Sequence, residues 1–249
     1  MRRQSQLIWL HVSNAASMWP APMRFRADWG VTVVWRTGSF TRLEFGEPRS
    51  QAATMGLIAT PTADLWRRGW YAPALALPSP NFGHRPVGVQ VDLVVVHSIS
   101  LPPGVYGGPE VLALFANQLD WDAHPYFQTI RGLQVSAHFF IRRDGQLLQF
   151  VSCNDRAWHA GASSYRGRDN CNDDSIGVEL EGLEGDAFEA VQYRALAALI
   201  AAISTQYPLA HVAGHEHIAP GRKNDPGPGF DWTHLRLLVA RPALRLPLD

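Results

Sequence analysis

The sequence predicts an α/β domain built on a mixed central β-sheet flanked by helices, preceded by an irregular N-terminal extension. Three observations carry that expectation. Val91–His97 (VDLVVVH) is a nearly continuous β-branched run, the pattern of a strand buried on both faces. Leu133–Ile141 and the run QLLQFV flank Arg143-Asp144-Gly145, a turn, and together read as a β-hairpin. The segment DAFEAVQYRALAALIAAISTQYP places Phe188, Val191, Ala195, Leu196, Leu199, Ile200 and Ile203 at helical spacing, and Pro208 ends it.

The remaining elements follow in order. The stretch up to about residue 66 scatters tryptophans at 9, 19, 29 and 35 without periodicity, and residues 1–54 hold seven arginines against three acids. Within them, only Val31–Trp35 reads as a strand. This stretch is expected to be a disordered extension, or to precede a true start at Met55, with the domain proper occupying 67–249. Pro73–Pro86 is a proline-punctuated, extended lead-in. GGPEVLALFANQL suits a helix through Val111, Leu112, Leu114, Phe115 and Leu119. Ser175–Gly182 alternates, with Ile176, Val178 and Leu180 on one side and Gly177, Glu179 and Glu181 on the other. A last helix is expected to start at Asp231, an N-cap after the Pro-Gly-Pro-Gly turn.

Composition narrows the function. With 46% hydrophobic residues over 249 positions, a sizeable core forms without covalent staples. A formal net charge of zero argues against a general nucleic-acid or anionic-membrane binder, which needs a basic surplus to release counterions. Two cysteines, Cys153 and Cys171, point to a reduced setting rather than a disulfide framework. Polar residues Gln4, Gln6, His11 and Asn14 break the N-terminal apolar stretch, so no signal peptide is expected.

Ten histidines are a rich supply, and their placement matters more than their number. His97 ends a buried strand, the position where α/β proteins place ligands. His215 and His217, two apart, would point to one side of an extended segment, as paired metal ligands do. Asp225 precedes Pro226 and is biased to extended geometry, so Lys223 should project to the same side. That pair reads either as a solvated surface ion pair or as a metal-binding carboxylate beside an oxyanion-stabilising cation. Glu179 and Glu181 read either as the solvent face of their strand or as one general base near a metal. Periodicity does not choose between these readings.

From about Gly69 onward the chain resembles the AmpD-type 1,6-anhydro-N-acetylmuramyl-L-alanine amidases of bacterial wall recycling, within the wider N-acetylmuramoyl-L-alanine amidase and peptidoglycan-recognition fold family. The matching blocks are VVVHSISLPPGVYGGP, VSAHFFIRRDG, RAWHAG, CNDDSIGVELEG and GHEHIAPGRKNDPGPGFDW. The resemblance implies that His97, His215 and Asp225 bind Zn2+, that Glu179 is the catalytic glutamate and that Lys223 is the catalytic lysine. It assigns His217 to a supporting or surface position, sets Glu181 aside, and leaves His159 and His138 as structural. Trp158 would line the substrate cleft. Ser98 and Asn170 stand where enterobacterial members carry Asn and Arg, and are expected to alter contacts with the substrate. The expected activity is zinc-dependent hydrolysis of the bond between the muramyl lactyl group and L-alanine. The resemblance further implies a cytoplasmic monomer acting on muropeptides, with neither nucleic acid nor membrane as partner. Two rival readings are a non-catalytic muropeptide receptor and a secreted amidase acting on intact peptidoglycan.

Overall fold

The computed structural model describes residues 65–248 and, before them, two short strands. The chain forms two units, 1–60 and 61–249. In the first, Arg24–Arg26 pairs antiparallel with Thr32–Val34, so the strand expected at Val31–Trp35 is present with a partner. The other expectations for residues 1–64 lie outside the described residues.

The second unit is built on one six-stranded sheet, whose strands are labelled in chain order β1 (Leu75–Ala76), β2 (Leu93–Ile99), β3 (Phe139–Ile141), β4 (Leu147–Gln149), β5 (Ser175–Glu181) and β6 (His211–Gly214). Their spatial order is β6-β2-β5-β3-β4-β1, parallel throughout except for the β3–β4 hairpin. The sheet is therefore mixed, and the hairpin strands are shorter than the apolar runs that announced them. Helices are α1 (Glu110–Phe115), α2 (Pro125–Thr129), α3 (Ala190–Gln206), α4 (His215–Ile218) and α5 (Trp232–Val239). Proline at its first position and the His124 ring, which accepts from the Tyr126 amide at 3.1 Å, start the short α2. Asp231 caps α5 as expected, accepting from the His234 amide at 2.8 Å.

Strand alternation divides the sheet into two faces with different tasks. Val94 and Val96 of β2, Phe139 and Ile141 of β3, and Ile176, Val178 and Leu180 of β5 meet Leu196, Leu199, Ile200 and Ile203 of α3 and Leu235 of α5. This face is the main core. The β5 position opposite His97 in the parallel register is Glu179, so His97 and Glu179 lie side by side on the other face. There Leu93 and Val95 pack with Cys171, Ala213 and Ile218. Phe140 and Leu148 pack there against Val111, Leu114 and Phe115 of α1. Leu180 is fully buried one residue from Glu179 and on the opposite face. Leu180→Ala is expected to cost about 2–5 kcal/mol of unfolding free energy. Urea denaturation checks this, and the variant should retain its metal-binding capacity.

Both faces of β5 are buried, so the solvent-facing reading of its glutamates does not hold. Glu181 faces the loop before α1. It accepts from the Gly107 amide at 2.6 Å and the Arg143 amide at 3.0 Å, and lies 3.7 Å from the Arg142 guanidinium. It ties two loops to the sheet. Glu181→Ala would strip two amides and a guanidinium of their buried acceptor, and is expected to destabilise the domain by about 3–5 kcal/mol. A loss below 1 kcal/mol in urea titration would overturn that role.

Candidate metal centre

The C-terminal ends of the parallel strands carry the site. His97 comes from β2, Glu179 from β5, and His215 opens α4 immediately after β6. Gly214, the residue before His215, is tightly enclosed. A Cβ there would stand 2.8 Å from Pro226 and 2.9 Å from the His217 ring. The Asp225 carbonyl accepts from the Glu216 amide at 2.9 Å, which brings the loop carrying Asp225 back over α4.

Three donor atoms converge. His97 Nδ1 and His215 Nδ1 are 2.9 Å apart, and each is 3.1 Å from Asp225 Oδ2. All three residues are buried, and among the described residues they form the one cluster with metal-ligand geometry. The protons on the far side of each ring decide what the triangle can hold. His215 Nε2 lies 3.0 Å from the Ala160 carbonyl, which only accepts, and 3.3 Å from Arg222 Nη2, which only donates; the shorter contact takes the Nε2 proton and leaves Nδ1 with a lone pair. His97 Nε2 lies 2.9 Å from His159 Nδ1. Burial first, then the neighbouring His215, pushes His97 down to about 4, so its ring is neutral at pH 7. A proton on Nε2 would leave His97 with an inward lone pair as well. Two lone pairs and a carboxylate oxygen at these separations repel one another unless a cation lies between them.

The residues at this cluster fit a zinc ion by two further criteria. Two imidazoles and one carboxylate leave a coordination position open, the pattern of a catalytic rather than a structural zinc. Glu179, 9% exposed, has an Oε2 atom that is buried without a hydrogen-bond partner. Burial above all, then the Asp225 charge, raises the Glu179 carboxyl well above the usual range, and Lys223 opposes them. Such an atom is costly unless it serves a polar group in the cavity. Lys223 is exposed on the loop between α4 and Asp225.

The other expected residues are placed as follows. His217 belongs to helix α4 rather than to an extended segment, so it turns away from His215. Its Nδ1 accepts from the Gly214 amide at 3.0 Å and its ring meets Trp232 edge-on at 5.5 Å. The expectation that the two histidines share a side is corrected by the 100° turn per residue of a helix. Ser98 is adjacent to His97 but pairs in register with Leu180, on the core face. Trp158 is half-buried, its amide donating to Ser136 Oγ at 3.0 Å. Asn170, with φ 62°, lines an open groove of about 550 Å³ together with Ser163, Ile218, Pro220 and Arg222.

Sequence reasoning under-read His159. It is buried against His97, and Gly177 on β5 makes room for it, since a Cβ there would fall 2.4 Å from the ring. Arg222 was missed altogether. Its Nη2 donates to the Ala160 carbonyl at 2.6 Å, the same acceptor that orients His215. Both contacts span about sixty residues of chain, and no local pattern signals them.

His138 is also buried, and its pKa is pushed down to about 3 by burial first and then by Arg85. An unfolded histidine titrates near 6.5, so the unfolded chain binds the proton first. Stability is full above pH 6.5 and is lost as pH falls toward 3, at about 1.4 kcal/mol per pH unit for this group. Urea midpoints at pH 7, 6, 5 and 4 should fall steadily. A flat profile across that range would show that His138 takes up its proton in the fold.

Comparison with known proteins adds an independent finding. The model of the family described as N-acetylmuramoyl-L-alanine amidase matches residues 87–228. The chain is 53% identical over 173 residues to the 1,6-anhydro-N-acetylmuramyl-L-alanine amidase AmpD of Citrobacter freundii, covering 69% of this chain and 92% of that protein. It is 50% identical over 179 residues to AmpD of Escherichia coli K12, covering 71% of this chain and 98% of that protein. A crystal structure of a selenomethionine derivative of AmpD superposes with a TM-score of 0.68 at 53% identity, covering 70% of this chain and 98% of the other.

Proposed function

The chain belongs to the N-acetylmuramoyl-L-alanine amidase family, and from that membership we propose that its domain of residues 67–249 is a zinc-dependent amidase of cell-wall recycling. The bond cleaved is the amide between the lactyl group of 1,6-anhydro-N-acetylmuramic acid and L-alanine of a muropeptide, the substrate named for its AmpD relatives. One observation carries the reading. The two imidazole Nδ1 atoms and a carboxylate oxygen converge beside a buried glutamate with an unpartnered oxygen.

His97, His215 and Asp225 would hold the zinc. When bound, the ion supplies Lewis acidity at the cleft. Glu179 accepts a proton from the water that attacks the lactyl carbonyl carbon. As the C–N bond breaks, Glu179 returns that proton to the departing nitrogen of L-alanine. The products are a muramyl carboxylate and a peptide with a free amino terminus. A raised pKa suits this shuttle, because a base poised nearer the working pH both takes and gives its proton readily. Lys223 brings a positive charge toward the oxyanion that develops on the carbonyl oxygen. Lys223→Met is expected to lower kcat about 10²–10³-fold with zinc content unchanged. Equal kcat in that variant would remove Lys223 from the mechanism.

Trp158 and Asn170 are assigned to substrate contacts, Asn170 because it lines an open groove, whereas Ser98, in register with Leu180 on the core face, is withdrawn from that role. The partner is a muropeptide; nucleic acid and membrane are not partners, and the protein acts as a monomer in the cytoplasm. Among the described residues, no helix is long and apolar enough to cross a membrane. The test is hydrolysis of anhydro-muramyl tripeptide by the purified protein, with chelator and after added zinc. Cleavage that stops and returns supports the amidase. Zinc binding without cleavage would sink it.

A further inference from the structure

We propose that His159 and Ser175 form a hydrogen-bond chain of fixed polarity, anchored on the Cys171 carbonyl, that holds His97 in the tautomer with a bare Nδ1. The two are positioning residues for the metal site, and the inference rests on the zinc reading given above.

The polarity follows from the one member with no choice. The Cys171 carbonyl can only accept, and Ser175 Oγ makes a short contact with it, so the hydroxyl proton points there. With that proton committed, Ser175 Oγ offers only lone pairs to its other neighbour, His159 Nε2, at 3.2 Å. That nitrogen must then donate, which leaves His159 Nδ1 as the acceptor in a neutral ring. His97 Nε2, 2.9 Å away, supplies the proton. The last consequence is a lone pair on His97 Nδ1, the atom that faces His215 and Asp225. Reversing any link would set two protons or two lone pairs against each other in a dry interior, where Ser175 is fully buried and His159 is 8% exposed.

Packing holds the chain in place. Gly177 leaves no atom between β5 and the His159 ring, and a Cβ there would overlap its Cγ at 2.4 Å. The His159 and Ala160 amides both donate to Asn172 Oδ1, at 3.0 and 2.8 Å, so the segment bearing the ring is pinned to the loop that carries Cys171. Partners of this kind are worth about 10–100-fold in metal affinity where they orient a ligand.

The experiment has two parts. In the metal-free wild-type protein, long-range ¹H–¹⁵N spectra of the imidazoles report which nitrogen of His97 carries the proton. The expected result is protonated Nε2 and bare Nδ1. Zinc affinity is then measured by competition with a chromophoric chelator for wild type, Ser175→Ala and His159→Phe, well below each unfolding temperature. His159→Phe should weaken zinc binding about 10–100-fold, and Ser175→Ala by a smaller factor within that range. Wild-type zinc affinity in both variants, or a His97 proton on Nδ1, overturns the proposal. If His159→Phe does not fold, Ser175→Ala and the wild-type spectra decide. Failure of the wild type to bind zinc would instead overturn the metal reading and leave the tautomer result standing.

Discussion

Glu179→Gln is expected to lower kcat by about 10²–10⁴-fold while the protein still binds one zinc per chain. The amide keeps the size of the carboxyl but cannot accept and return a proton. The same substitution should leave unfolding free energy unchanged or raise it. Glu179 lies in the interior with an unpartnered oxygen and with Asp225 as a like-charged neighbour, an arrangement that costs stability and is tolerable only for function. Turnover, zinc content and urea stability measured on one preparation separate the possibilities. Loss of zinc together with activity would make Glu179 a ligand. Loss of stability with activity intact would make it a packing residue.

Removal of the metal carries the second large effect. Stripping zinc with a chelator should abolish hydrolysis and lower the unfolding temperature, and one equivalent of zinc should restore both. The expected stabilisation is that of any ligand bound only by the folded state, about 2.7 kcal/mol when free zinc exceeds its dissociation constant 100-fold. The reason is local. Without a cation, His97 Nδ1, His215 Nδ1 and Asp225 Oδ2 hold three lone-pair-bearing atoms about 3 Å apart. Calorimetry of the stripped and reconstituted protein measures the shift. Full activity in chelated protein would defeat the zinc mechanism, and restoration by magnesium alone would replace the metal.

The sequence by itself determined the mixed sheet, the hairpin, the long helix to Gln206, the cap at Asp231 and the family. These depend on local periodicity, on turn and capping chemistry, and on contiguous motifs, all legible along a chain. Tertiary structure decided the rest. The alternation in Ser175–Gly182 showed that Glu179 and Glu181 share a face but not what covers it. Only the packed fold gives Glu181 to two loop amides and leaves a Glu179 oxygen without a partner. Spacing alone put His215 and His217 on one side, because it assumed a strand; the helix that follows Gly214 parts them. His159 was invisible as a neighbour of His97, since the two are 62 residues apart and meet only when β2 and β5 pair in register over Gly177. Local physics sets which element forms, whereas which lone pair faces which proton is settled only when distant elements exclude water and bring their polar atoms together.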